Sequence, residues 1–144
     1  MLNFLKSFYK IRPFVCKKSK IINKGNKCLL SENIEFWCSD THSVLDKDTN
    51  TVLNMASNIN IGDNVWIARD VHFNKNTATP NNSVVAHHSI ITKKFTEPNV
   101  IIAGNPATIR KQNITWDLQR PDLYTKLYNI NTHKQEALND EQKR

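Results

Sequence analysis

His42 stands in a polar stretch of the chain, with Asp40 two residues before it and Asp46 four residues after. Histidine is the side chain whose unperturbed pKa lies near neutrality, so an imidazole beside a carboxylate can take a proton from an attacking group and return it. Asp40 is the nominee to orient that ring by accepting a hydrogen bond from its other nitrogen. Taken alone, these residues fit an ordinary surface histidine better than a base. Trp66, 24 residues after His42, offers a flat apolar wall, either to a ligand or to a structural contact. His72, His87, His88 and His133 suggest no metal site: His87 and His88 are adjacent and, on a strand, would point to opposite faces. Cys16, Cys28 and Cys38 have no C-x-x-C spacing, so neither a zinc site nor a disulfide framework is indicated. Reduced thiols in a cytoplasmic protein are the simplest reading, with Cys28 at a small wall position.

The elements that must position these side chains are announced by a six-residue period. Cut from Ile61, the chain reads IGDNVW, IARDVH, FNKNTA, TPNNSV, VAHHSI, ITKKFT. The first positions are Ile61, Ile67, Phe73, Thr79, Val85 and Ile91; the fifth are Val65, Val71, Thr77, Ser83, Ser89 and Phe95. A weaker stretch of the same register runs from Lys18 to Phe36, with Leu30 and Phe36 in the first position and Cys28 and Ile34 in the fifth. A short strand repeated every six residues leaves little chain to turn each corner, so three hexads close a triangular coil of 18 residues. Coils stacked at the inter-strand spacing of about 4.8 Å put Ile61 over Thr79, Ile67 over Val85 and Phe73 over Ile91. The expected fold is therefore all-β, a parallel β-helix with few coils, helped by oligomerisation or a cap.

The expected organisation is a lead-in over 1–17, the β-helix over 18–116 with a loop excursion at 37–60, and a C-terminal segment over 117–144. A last apolar strand turns out at Gly104-Asn105-Pro106, and a helix starts near Pro121 before a tail beyond Asn139. The N-terminus is apolar, but Lys6, Lys10 and Arg12 interrupt it; it reads as neither signal peptide nor membrane span. It could form a short amphipathic helix touching a membrane surface, though a packed start of the domain fits better. A net charge of +7 and a pI near 9.4 suit an acidic partner. An AT-rich genome would account for the many Lys, Asn and Ile residues equally well. No recognition helix or basic strand face with interleaved aromatics supports nucleic-acid binding.

Three segments, SDTH at 39–42, IGDNVWIARDV at 61–71 and SVVAHHSIITKKF…NVIIAGNPATIRK from Ser83 to Lys111, resemble the hexapeptide-repeat acyltransferases. The likeness covers Leu29 to Trp116 and is nearest to bacterial O-acetyltransferases of sialic acid and other capsule or lipooligosaccharide sugars. It implies a left-handed parallel β-helix, acetyl-CoA as co-substrate with no metal, a glycan acceptor, and a homotrimer with its active site between subunits. It implies His42 as the catalytic base with Asp40 beside it, and Trp66 against the sugar or the pantetheine arm. Small residues along the acetyl-CoA path would be Ala68 and Ala86. Arg69, His87, Thr92 and Lys93 would line it, and Arg110 and Lys111 would meet its phosphates. The chain departs from the pattern where Ala68, Asn74, Pro80 and Ala86 replace second-position glycines and where His87-His88 replace small residues. It also has few N-terminal repeats. The implied activity is acetyl transfer to a sugar hydroxyl in a cell-surface glycan, sialic acid or a related acidic sugar favoured, with N-acetylation of an amino sugar a close variant. The alternative is an impaired, shortened β-helix serving as a binding or assembly subunit.

Overall fold

A computed structural model describes residues 22–128 of the chain. The expected lead-in, the membrane-surface helix, Cys16, His133 and the tail lie outside the described residues. Among the described residues, eleven strands build a triangular prism with left-handed winding. The first coil comprises β1 (Ile22–Lys24), β2 (Leu29–Leu30) and β3 (Glu35–Trp37). The second comprises β4 (Ile59–Ile61), β5 (Trp66–Ile67) and β6 (His72–Asn74), and the third β7 (Thr77–Thr79), β8 (Val84–Val85) and β9 (Ile90–Ile91). A partial fourth coil ends in β10 (Ile101–Gly104). The chain then doubles back as β11 (Ala107–Lys111), antiparallel to β10, a reversal that the sequence pattern did not disclose. The first face of the prism is β1-β4-β7, the second β2-β5-β8-β10-β11, and the third β3-β6-β9.

Stacking follows the hexad register. Ile61 pairs with Thr79, Ile67 with Val85 and Phe73 with Ile91, as the period requires. First and fifth positions fill the interior: Val65, Ile67, Val71, Phe73, Val85 and Ile91 are fully buried, and Phe36 stacks on Phe73 at 5.0 Å between ring centroids. Thr77, Ser83 and Ser89 are buried at the fifth position, and each hydroxyl donates to a carbonyl just upstream: Asn74, Asn81 and Ala86 respectively. A hydroxyl sealed in an apolar core without such a partner would cost about 1–3 kcal/mol. Cys28 and Cys38 are free thiols, Cys38 wholly buried and Cys28 half-buried with its thiol donating to the Gly62 carbonyl at 3.2 Å.

The corners carry a second regularity. Asn64, Asp70, Asn76, Asn82 and His88, all at the fourth hexad position, have φ between 54 and 59°, and so do Lys27 and Asn33 in the first coil. This left-handed backbone turns each 120°-like corner in one residue. Asn and Asp visit it at lower cost than other side chains with a Cβ. The abundance of asparagine thus has a structural reason in this fold. His87 and His88 sit in such a corner and not on a strand, so the opposite-faces argument fails: their rings meet edge to face at 5.4 Å. Glycine is needed at the second position where coils approach most closely. A Cβ on Gly62 would lie 2.4 Å from the Asn81 side chain and 2.8 Å from its backbone nitrogen.

The excursion is narrower than 37–60, because Trp37 closes β3 and Ile59 opens β4. It is also ordered. Leu45 and Val52 pair antiparallel, and the tip is tied by the Asp46 carboxylate, which accepts from the Asp48 and Thr49 amides and the Thr49 hydroxyl. After β11 the chain crosses the second face and forms helix α1, residues 121–128. Among the described residues, no helix is long and apolar enough to cross a membrane. If the left-handed corner governs winding, Asn76→Gly should keep thermal stability within about 0.5 kcal/mol, and Asn76→Val should cost about 1–2 kcal/mol. Thermal unfolding of the two variants distinguishes these, and equal stabilities would remove the constraint.

Candidate functional site

Each prism edge joins two faces. The excursion bearing His42 leaves from the third edge, between the third face and the first, where the second coil has Lys75 and Asn76 and the third has Thr92 and Lys93. The His42 backbone is fixed at both ends: its amide donates to the Asp40 carbonyl at 2.8 Å, and its carbonyl accepts from the Asn54 side-chain amide at 2.8 Å. The imidazole itself is exposed and has no hydrogen-bond partner among the described residues. Asp40, expected to orient that imidazole, is instead committed to the prism. Its Oδ2 accepts from the Lys75 ammonium and from Asn54 Nδ2. The reason is reach: Lys75 leaves β6 in the next coil and also donates to the Asn54 carbonyl at 2.9 Å, clamping both arms of the excursion at its root. The Lys75 hydrogen bond, then that from Asn54, hold the Asp40 carboxyl below the ordinary carboxylate range. Asp46 is also held low by its bonds from Thr49, and it lies in the hairpin tip as a turn former.

Trp66 lies on the second face, across the prism from the third edge. On that face Leu29, Trp66, Val84 and Ile101 are register partners in successive coils, and their outward side chains make an apolar stripe. The segment after β11 crosses the stripe. Trp116 stands against Trp66 with ring centroids 6.1 Å apart and donates its indole hydrogen to the Asn64 carbonyl at 2.8 Å. Between the stripe and α1 opens a groove of about 580 Å³, walled by Leu29, Trp66, Trp116, Pro121 and Tyr124, with Arg120 at its margin. Trp116 and α1 were not among the expected site residues. The aromatic at 116 is the signal that could have drawn notice to them.

The residues expected along an acetyl-CoA path divide between two edges. Ala68, Arg69, Ala86 and His87 line the second edge, where the second face meets the third, and the Gly104–Pro106 turn ends the same column. Arg110 joins them, because the pairing of β10 with β11 is irregular there and its Nε lies 3.4 Å from the Ala103 carbonyl. Arg69 is partly held by Asp70, at 3.3 Å, which also faces His88 at 3.6 Å. Asp70 is held low by the hydrogen bond from Asn33, assisted by the charges of Arg69, His88 and His72. Lys111 is at the far end of β11, paired opposite Ile101. Thr92 and Lys93 are on the third edge, where the Lys93 ammonium lies 5.3 Å from the Phe95 ring centroid. Among the described residues, no group of three or more His, Cys, Asp or Glu side chains could hold a metal ion.

No protein-family model matches the chain. A polysialic acid O-acetyltransferase of Escherichia coli O1:K1 is 31% identical over 93 residues, 64% of this chain and 30% of that protein. Among solved structures, a polysialic acid O-acetyltransferase superposes with a TM-score of 0.67 and 36% identity, covering 69% of this chain and 47% of that one. A hexapeptide-repeat acetyltransferase of Vibrio cholerae O1, complexed with acetyl coenzyme A, gives a TM-score of 0.52 and 26% identity, covering 61% of this chain and 47% of that one. In sequence and in fold, the chain is similar to hexapeptide-repeat acetyltransferases. It spans less than half the length of each of these proteins.

The clamp on the excursion predicts a measurable titration. A carboxylate whose folded-state pKa is depressed adds stability that is present above its unfolded pKa and is lost as pH falls through the folded value. Asp40 should therefore titrate below 3.8 by NMR. Lys75→Met should move it upward and quicken proteolysis within 43–56 at neutral pH. An unmoved Asp40 resonance in that variant would contradict the clamp.

Proposed function

We propose that this chain is the β-helical body of a hexapeptide-repeat acetyltransferase, which moves an acetyl group from acetyl-CoA to a hydroxyl of a glycan. The observation that carries this reading is the ordered excursion, which presents an otherwise unengaged imidazole at a prism edge, in a chain similar in fold and sequence to polysialic acid O-acetyltransferases. His42 is the general base: its imidazole takes the proton of the attacking hydroxyl and can pass it to the departing sulfur. Asp40 acts through the excursion backbone, with Lys75, and not through the ring.

Acetyl-CoA supplies the acyl group, activated as a thioester. The residues of this chain fit it by chemistry. Arg69, His87 and Arg110 form a basic column on one edge, beside the short side chains of Ala68 and Ala86, suited to phosphates and a narrow amide arm. Thr92, Lys93 and Lys111 would extend that contact from their own positions. Trp66 gives the apolar wall, and an acidic acceptor of the sialic acid type agrees with the net charge of +7.

A homotrimer follows as part of the proposal. His42 leaves the third edge while Trp66 occupies the second face, so one copy does not bring them into contact; a neighbouring copy supplies the missing half. Val44, Leu53 and Met55 on the excursion are 55, 63 and 71% exposed, apolar surface that association would cover. A cytoplasmic location, with donor and sugar precursors at hand, belongs to the same reading.

Labelled acetyl-CoA and a panel of acceptor glycans test it. Transfer by the wild type should fall about 10²–10⁴-fold in His42→Ala, while binding of CoA persists. Equal rates in the two proteins would remove His42 from the chemistry. Trp66→Ala should weaken binding of donor or acceptor without altering the fold measured by circular dichroism.

A further inference from the structure

We propose that the outward side of the third face, at the root of the excursion, is the acceptor subsite, where Glu35, His72 and Trp37 bind a pair of adjacent O–H or N–H donors on a sugar ring. The inference rests on the acetyltransferase reading and adds to it residues that neither the hexad pattern nor the relatives assign. On β3 and β6 the inward residues are Phe36 and Phe73, so Glu35, Trp37, His72 and Asn74 stand outward. Glu35 is the register partner of His72, and Trp37 of Asn74.

Two ring nitrogens converge on one carboxylate oxygen. Trp37 Nε1 donates to Glu35 Oε2 at 3.0 Å, and His72 Nδ1 lies 3.2 Å from the same atom. A hydrogen on Nδ1 leaves Nε2 as an acceptor. Glu35 Oε1 and His72 Nε2 have no hydrogen-bond partner among the described residues, and the two side chains are about a third exposed, at 32 and 39%. The face therefore presents two neighbouring acceptors, already oriented, with an indole beside them. Paired acceptors call for paired donors, which adjacent O–H or N–H groups of a sugar ring supply. They would repel a carboxylate or phosphate, so the charge of an acidic acceptor is read elsewhere.

Position links this patch to the chemistry. Lys75 follows β6 directly and holds Asp40, two residues from His42. At about 3.3 Å per residue along a strand, His72 is about 10 Å from that clamp. A sugar seated on the patch lies beside the edge from which the base emerges.

Glu35→Ala and His72→Ala in the full chain test the subsite, with thermal unfolding to verify folding and oligosialic acid, maltose and a galactoside as probes. Each substitution removes an acceptor, so the acceptor KM should rise about tenfold while the KM for acetyl-CoA stays within about twofold. An unchanged acceptor KM in both would overturn the subsite and leave the acetyltransferase reading intact. Should the wild type transfer to no acceptor, that reading fails, and saturation-transfer NMR without donor decides the subsite alone. Sugar signals present in the wild type and lost in both variants sustain it. Signals that persist in the variants, or are absent in the wild type, overturn it.

Discussion

The structure depends on a backbone that can turn left-handed once every six residues. Each corner at the fourth hexad position spends one residue at φ near 57°, and that single residue aligns the next strand over its neighbour in the coil below. The two interior positions follow from this geometry, since the first position, on the strand, and the fifth, just past the corner residue, point into the prism. Apolar side chains fill most of them. Where a hydroxyl takes the fifth position, the corner carbonyl just upstream is within reach, so the core accepts Thr77, Ser83 and Ser89. Thr79, at a first position, has no such carbonyl and its buried hydroxyl is unpartnered among the described residues.

A rigid prism separates its surfaces into distinct chemical environments. The second face is an apolar stripe sealed in part by Trp116; the third carries a carboxylate, an imidazole and an indole in contact; the second edge is a basic column. None of these needs a flexible scaffold, because parallel stacking repeats the outward position of one coil above that of the next. Among the described residues, the one long departure is the excursion, which separates stacked residues of the first two coils by 37 positions instead of 18. Its root is clamped by Lys75, so the histidine it carries is displayed from a fixed base. That display, on the side of the prism away from Trp66, is what makes association of copies part of the functional account.

The interior was legible in the sequence because hydrophobic period and stacking register are the same information. Ile61 over Thr79 and Phe73 over Ile91 follow from counting alone. The corners were less legible, since Asn64, Asp70, Asn76 and His88 share a backbone conformation but no hydropathy, and glycine was the residue expected nearby. Placing His87-His88 on a strand failed for this reason. The role of Asp40 was hidden by distance along the chain: its partner is 35 residues away, brought near only by winding. The antiparallel return of β11 and the Trp116 contact were equally hidden, because both arise where the period stops. The polar cluster of Glu35, Trp37 and His72 occupies outward positions, which a six-residue hydrophobic period leaves unspecified.

The central claim is that a base from one copy meets a wall and donor path on another. Subunit mixing measures this directly: His42→Ala and Trp66→Ala proteins, each impaired alone, are unfolded together, refolded and assayed for acetyl transfer. The account predicts that mixed assemblies regain part of the wild-type rate, since some sites combine an intact imidazole with an intact indole from different copies. A rate no greater than that of the separate variants, in assemblies shown to be mixed, would contradict it.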